Sequence, residues 1–260
     1  MIIRKSAAEI DKMAAAGEIL VKALQLVEGR IRPGVTTGEL DEAVEAFIRS
    51  QGAVPAFKGY HGFPGSICAS PNSMVVHGIP GDIRLDRGDV ISIDIGVTLD
   101  GWVADAARTF PVGEISSEAD HLLSVTEQSL HAAVAACLDG GRLGDVSNAV
   151  QTCVESEGMS VVRSLVGHGI GRNMHEDPQV PNYGPAGKGP NLEEGMVLAI
   201  EPMVALGGSG VKVDPDGWSV FTVDGSLAAH FEFTVAITSE GPRILTPWHL
   251  PAGGPGGTSA

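Results

Sequence analysis

Apolar residues at helical spacing open the chain: Ile10, Met13, Ala14, Leu20, Val21 and Leu24 follow Ser6 and Glu9, a capping-box pair, and end at Gly29 and Pro33. A long first helix is predicted. Thr36 and Glu39 repeat the cap before Leu40, Ala43, Val44, Phe47 and Ile48, and Gly52 stops that second helix. Ser117 to Asp120 opens a third helix through Leu122, Val125 and Ala133, broken by Gly140 and Gly141. Val146, Ala149, Val150, Cys153 and Val154 predict a fourth before Gly158. Between the helix pairs, Val90 to Val97 is an apolar run bearing one Asp, and Asp100-Gly101 is a strong two-residue hairpin signal before Trp102 to Phe110. With that turn Leu99 faces Trp102 and Gly96 faces Asp105. Asp94 and Asp105 then share one face as diagonal neighbours, about 7 to 8 Å apart at the backbone. Asp224-Gly225 suggests a comparable turn before a strand from Leu227 to Thr238 carrying Glu232.

The pattern repeats. A shift of 106 positions lays Gly38, Ala43, Val44, Ser50 and Gly52 on Gly144, Ala149, Val150, Ser156 and Gly158. A shift of 107 lays Leu85, Gly88, Val90, Ile93, Asp94 and Val97 on Leu192, Gly195, Val197, Ile200, Glu201 and Val204, and His61-Gly62 on His168-Gly169. We read this as a duplication with pseudo-twofold symmetry, in which Asp94 and Glu201 occupy equivalent strands and a site forms where the halves meet.

Composition narrows the class. The 260 residues are 43% apolar, enough for a packed core, and no apolar run has the length of a secretory or membrane segment, so a cytosolic protein is expected. Cys68, Cys137 and Cys153 lack C-x-x-C spacing and indicate neither a disulfide framework nor a zinc finger. A net charge of −15 argues against a nucleic-acid surface. Phosphate-loop, dinucleotide and G-x-S-x-G signatures are absent. Pro251 to Ala260 is small and glycine-rich and reads as a frayed tail.

Asp94, Asp105, Glu201 and Glu232, with His168, make a candidate two-metal set. Asp94 and Glu201 stand in apolar runs where unpaired charge is costly, and a buried salt bridge has only Arg108 nearby to supply it. Asp105 and Glu232 taken singly could face solvent; the hairpin register places Asp105 with Asp94. Carboxylates about 4 Å apart repel by roughly 4 kcal/mol per pair at an effective dielectric near 20, and bound cations reverse that sign. His168 and His175 lie in GHGIGRNMHEDP, read as a glycine-rich loop, and His61 and His77 lie in similar His-Gly turns. Four carboxylates and an imidazole suit manganese, iron, cobalt or zinc. Cys68 is a possible thiol nucleophile, with a buried inert cysteine as the alternative.

VVHGIP around His77, SIDIGVTLDGWVADAARTF, GHGIGRNMHEDPQVPNY, AIEPMV and HFEFTV match in order and spacing the motifs of the methionine aminopeptidases, which the chain resembles from about Ile3 to Pro247. The short segment from Glu201 to Glu232 resembles type I. The resemblance implies an α+β pita-bread fold: one catalytic domain, 1–250, with pseudosymmetric halves of about 1–112 and 113–250 and helices outside a curved antiparallel sheet. It also implies two divalent ions. Asp94 looks like the chelating ligand of one, His168 and Glu201 like ligands of the other, with Asp105 and Glu232 bridging. In the family a bridging water attacks the first peptide carbonyl, Glu201 is the expected proton shuttle, His175 contacts the carbonyl oxygen and His77 the scissile nitrogen. Phe57, Tyr60, Phe63, Cys68, Met174 and Trp218 hold the methionine-pocket positions, and a monovalent cation near the backbone of Asn72, Met74 and Ala228 is implied. The substrate implied is a nascent chain with a small second residue, met by a monomer in the cytoplasm with transient ribosome contact. Phe233 departs from the family's usual His, and Val103 and Ala104 from its His-Gly. An X-Pro peptidase and a silent binder of protein or RNA are the rival readings.

Overall fold

Helix α1 spans Ala7–Glu28 and α2 Thr37–Ser50, each opened by the expected reciprocal cap. Ser6 N–H and Thr36 N–H donate to the Glu9 and Glu39 carboxylates at 2.9 and 2.7 Å. Such a cap contributes about 1 kcal/mol by satisfying amides that have no partner within the helix. The computed structural model describes residues 1–250, so the tail lies outside the described residues.

Strands β1 (Val54–Pro55), β2 (Ile67–Pro71), β3 (Met74–Val76), β4 (Val90–Leu99) and β5 (Trp102–Pro111) complete the first half. The second half repeats the helix pair as α3 (Ser117–Ala135) and α4 (Leu143–Ser156). Ser116, not Ser117, caps α3, its hydroxyl accepting from Ala119 N–H. Then come β6 (Ser160–Val161), β7 (Gly167–Gly169), β8 (Glu176–Val180), β9 (Val197–Ile200), β10 (Met203–Ala205), β11 (Val211–Val213), β12 (Val220–Thr222), β13 (Ala228–His230), β14 (Phe233–Thr238) and β15 (Gly241–Ile244).

The repeat offsets recur in three dimensions. Helices α2 and α4 begin and end 106 positions apart, and β4 and β9 begin 107 apart. The bridge Thr36 to Arg84 recurs as Arg142 to Asn191, and the bond Gly38 N–H to Gly81 C=O recurs as Gly144 N–H to Lys188 C=O. His61 and His168 do not share the symmetry. His61 lies in the 3-10 turn Tyr60–Gly62 before β2, whereas His168 lies in β7, the strand beside β9.

Helix α1 packs on β4 and β5, and α3 on β9, β10 and β13, which is the two-halved α+β plan with helices outside antiparallel strands. Ile91, Ile93 and Ile95 of β4 share one core with Leu20 and Leu24 of α1 and Leu122 of α3. Each such side chain contributes roughly 1.5 to 3 kcal/mol on burial. Among the described residues the strands form four sheets rather than one, and β3 pairs across the halves with β12.

Two further expectations change. The predicted strand Leu227 to Thr238 is two strands, β13 on β10 and β14 on β9, with Phe231-Glu232 between. Directly opposite, Glu201-Pro202 separates β9 from β10; proline has no N–H for the ladder, and both strands part there. GHG around His168 is strand, not loop, paired on both sides. Its glycines serve close approach, since a Cβ on Gly167 would lie 2.4 Å from the Ala199 oxygen and one on Gly169 2.1 Å from that of Asp177.

Candidate metal centre and substrate pocket

The hairpin register is the one expected: Leu99 faces Trp102, Gly96 faces Asp105 and Asp94 faces Ala107. Asp100 and Gly101 turn the chain at φ 50° and 75°, positive values that fit the tight hairpin turn. Because side chains alternate, the isoleucines of β4 enter the core while Asp94 points to the opposite face.

The halves join along β5. Thr234 Oγ1 accepts from Asp105 N–H at 3.0 Å and donates to Asp105 C=O at 2.7 Å. Glu232 N–H donates to Ala107 C=O at 2.8 Å. Thr109 Oγ1 accepts from His230 N–H and donates to His230 C=O, both at 2.9 Å. These contacts step by two residues in opposite directions along the two chains, as an antiparallel seam does. Trp248 Nε1–H adds a bond to Glu232 C=O at 2.9 Å. The seam sets Asp105 and Glu232 side by side at the junction.

His168 supplies the nitrogen. Its Nδ1–H donates to Gly169 C=O at 2.9 Å, which leaves the Nε2 lone pair free. Nε2 lies 3.5 Å from Glu201 Oε1 and 3.9 Å from Asp105 Oδ2. Asp105, His168 and Glu232 each offer one ligand atom, all within 4.8 Å of one another. Buried oxygens of Asp94, Asp105 and Glu232 have no hydrogen-bond partner. Among the described residues no Lys or Arg pairs with the four carboxylates, and Arg108 is engaged by Glu28. The salt-bridge alternative therefore lacks its cation.

The electrostatics follow. Burial pushes Asp94 up to about 7, with a contact from Asp105 acting the other way. Burial first, then neighbouring carboxylates, raises Asp105, Glu201 and Glu232 well above the ordinary range. Burial lowers His168 to about 4. Unpartnered buried oxygens plus one imidazole lone pair are the donor set that a divalent cation fits.

This cluster lines a cavity of about 320 Å³. Phe57, Tyr60, Phe63, Cys68 and Trp218 of the expected pocket also line it, with Phe63 edge-on to Trp218 at 5.1 Å. Met174 does not line it. Its Cε sits 2.7 Å from where a Gly96 Cβ would be, next to Phe57, in the same buried cluster as Phe63 and Cys68. His77, held at φ 59°, and His175 face the cavity, and burial lowers both imidazoles. Tyr60 Oη lies 2.8 Å from His175 Nδ1. Cys68 is buried in the cavity wall, and burial raises its thiol well above its ordinary value, which favours the inert cysteine over the nucleophile. Near the suggested monovalent-cation position, Asn72 C=O accepts from Ala228 N–H, and the Asn72 amide bonds Asp89 and Val90.

Sequence reasoning missed His230, Val76, Leu165, Val166 and Met203, all lining the cavity. His230 stands two residues before Glu232 in HFEFTV, and that spacing is the available signal. Phe233 is fully buried and stacks on Trp248 at 4.7 Å, so an apolar packing contact occupies the position where a polar partner was expected. Val103 N–H is taken by Gly171 C=O, which ties the hairpin to the loop before His175.

The pattern of metallopeptidase family M24 matches residues 11–239. A methionine aminopeptidase of Clostridium perfringens is 54% identical over 246 residues, 95% of this chain and 99% of that protein. Methionine aminopeptidase 1 of Bacillus subtilis is 53% identical over the same shares. The crystal structure of methionine aminopeptidase from Thermotoga maritima superposes with a TM-score of 0.93 at 46% identity, covering 95% of this chain and 99% of that one. The chain belongs to metallopeptidase family M24 and, within it, to the methionine aminopeptidases. It is accordingly a metal-dependent hydrolase of the aminopeptidase class.

Proposed function

We propose that this protein removes the initiator methionine from newly made cytoplasmic chains whose second residue is small, using two divalent ions. The observation that carries the reading is the group of buried carboxylates and one imidazole lone pair, without a basic partner, opening into an apolar cavity. Asp94, Asp105 and Glu232 would hold one ion; Asp105, His168, Glu201 and Glu232 the other. When bound, the ions lower the pKa of water toward about 7 and polarise the substrate.

The chain's own groups do the rest. Phe63 and Trp218 give the substrate side chain an apolar slot and exclude water from it. Such a slot discriminates by about 1 to 3 kcal/mol per methylene, so similar unbranched side chains are accepted weakly. With the Tyr60 hydroxyl donating to His175 Nδ1, the His175 proton sits on Nε2, where it can donate to the substrate carbonyl oxygen. His77, neutral at pH 7, contacts the scissile nitrogen. Glu201, at the break between β9 and β10, carries the proton to the leaving amine.

Purified protein stripped of metal and reloaded with manganese or cobalt should release methionine from a Met-Ala-Ser peptide. No release with any divalent ion would overturn the assignment.

A further inference from the structure

His230 is a buried titratable group that the proposed chemistry leaves without a role. Its ring is 2% exposed, both its nitrogens lack a hydrogen-bond partner, and it lines the cavity beside the carboxylates. A buried imidazole normally finds at least one partner, because leaving a polar group unsatisfied costs about 1 to 3 kcal/mol. Its Nε2 faces Glu201 Oε2 at 3.7 Å, just beyond hydrogen-bonding distance.

The two Glu201 oxygens therefore see different imidazoles. Oε1 lies 3.5 Å from His168 Nε2, which carries a lone pair because the His168 proton is committed to Gly169 C=O. Both are atoms that would serve as ligands to a bound cation. Oε2 has His230 as its imidazole neighbour, and a neutral imidazole protonated at Nε2 is a donor.

The backbone of His230 is held firmly enough for this task. Thr109 Oγ1 clamps both its N–H and its C=O, and because the Thr109 proton goes to that carbonyl, Ser92 Oγ must donate to Thr109 Oγ1 across 2.9 Å. Ser92 and Thr109 belong to the hairpin that bears Asp94 and Asp105. One hydroxyl relay thus fixes His230 relative to carboxylates from the other half.

We propose that His230 is a positioning residue that donates from Nε2 to Glu201 Oε2, setting the carboxylate so that Oε1 is presented beside His168 Nε2. The role rests on the metal-dependent reading and names what orients one of its ligands. Partners that orient metal ligands commonly change metal affinity by about 10 to 100-fold when removed.

The test compares wild type, His230→Gln and His230→Leu after metal stripping, by manganese titration calorimetry and by kcat and KM on Met-Ala-Ser. His230→Gln keeps an N–H donor and should bind manganese within about threefold of wild type, whereas His230→Leu should bind about 10 to 100-fold more weakly and lose kcat more than KM. Thermal melting of the metal-free variants separates misfolding from this effect, because Leu removes an unsatisfied buried group and should not lower the metal-free Tm. Wild-type manganese affinity in His230→Leu, or a His230→Gln as weak as His230→Leu, would overturn the role while leaving the peptidase reading intact. A wild-type protein that neither binds manganese nor releases methionine would bring down both.

Discussion

At the scale of single residues, the site is a set of donors whose partners have been withheld. His168 commits Nδ1–H to a backbone carbonyl, and oxygens of Asp94, Asp105 and Glu232 remain unpaired in the interior. Replacing His168 with alanine removes the one nitrogen ligand, so metal content should fall in part while kcat/KM falls by at least about 100-fold. Elemental analysis beside peptide turnover checks this, and unchanged metal content would favour the silent-binder alternative. The residue types were legible in the sequence because carboxylates in apolar runs lack a bland explanation. His230 had only its place two residues before Glu232 to mark it, because nothing else local distinguishes a histidine aimed into a cavity from one packed in a core.

At the scale of elements, the pocket wall hangs on α2. Asp41 accepts from Ser66 N–H at 2.7 Å and Ile67 N–H at 2.9 Å, and Glu45 pairs with Lys58 and Arg49. Those bonds hold both ends of the segment that carries Tyr60 and Phe63. The Lys58 bond is the main cause that holds Glu45 at about 2, below its ordinary 4.5. A depressed carboxylate stabilises the fold above its unfolded pKa and loses that contribution as pH falls through the folded value. Glu45→Gln should therefore cost up to about 1 kcal/mol at pH 7, and clearly less at pH 3. Urea denaturation at both pH values measures the difference, and an equal cost at each would refute the pairing. Element positions were largely legible: four helices and the Asp100-Gly101 hairpin appear where caps and alternation put them. The shared break at Glu201-Pro202 and Phe231-Glu232 was not, because it depends on which strands pair.

At the scale of the molecule, the seam along β5 makes one site from two copies of a plan. It concentrates carboxylates that repel one another unless cations are present. Chelation should lower Tm. Returning manganese at a hundred times its Kd should restore about 2.7 kcal/mol, roughly 5 to 10 °C for a domain of this size. Scanning fluorimetry reads both steps, and a Tm indifferent to stripping and reloading would contradict the metal centre. No described helix is long and apolar enough to cross a membrane.

The chain alone determined what short-range physics can encode: capped helices, a hairpin register that pairs Gly96 with Asp105, and a duplication visible as fixed offsets. Only the tertiary structure decided that GHG is a strand wedged between neighbours, that His230 lines the cavity while Met174 packs beside Phe57, and that Thr234 and Thr109 clamp residues of the opposite half. The clamps join residues more than a hundred positions apart, GHG pairs with strands much nearer in sequence, and no local pattern of apolar and polar positions carries the register in which such segments meet.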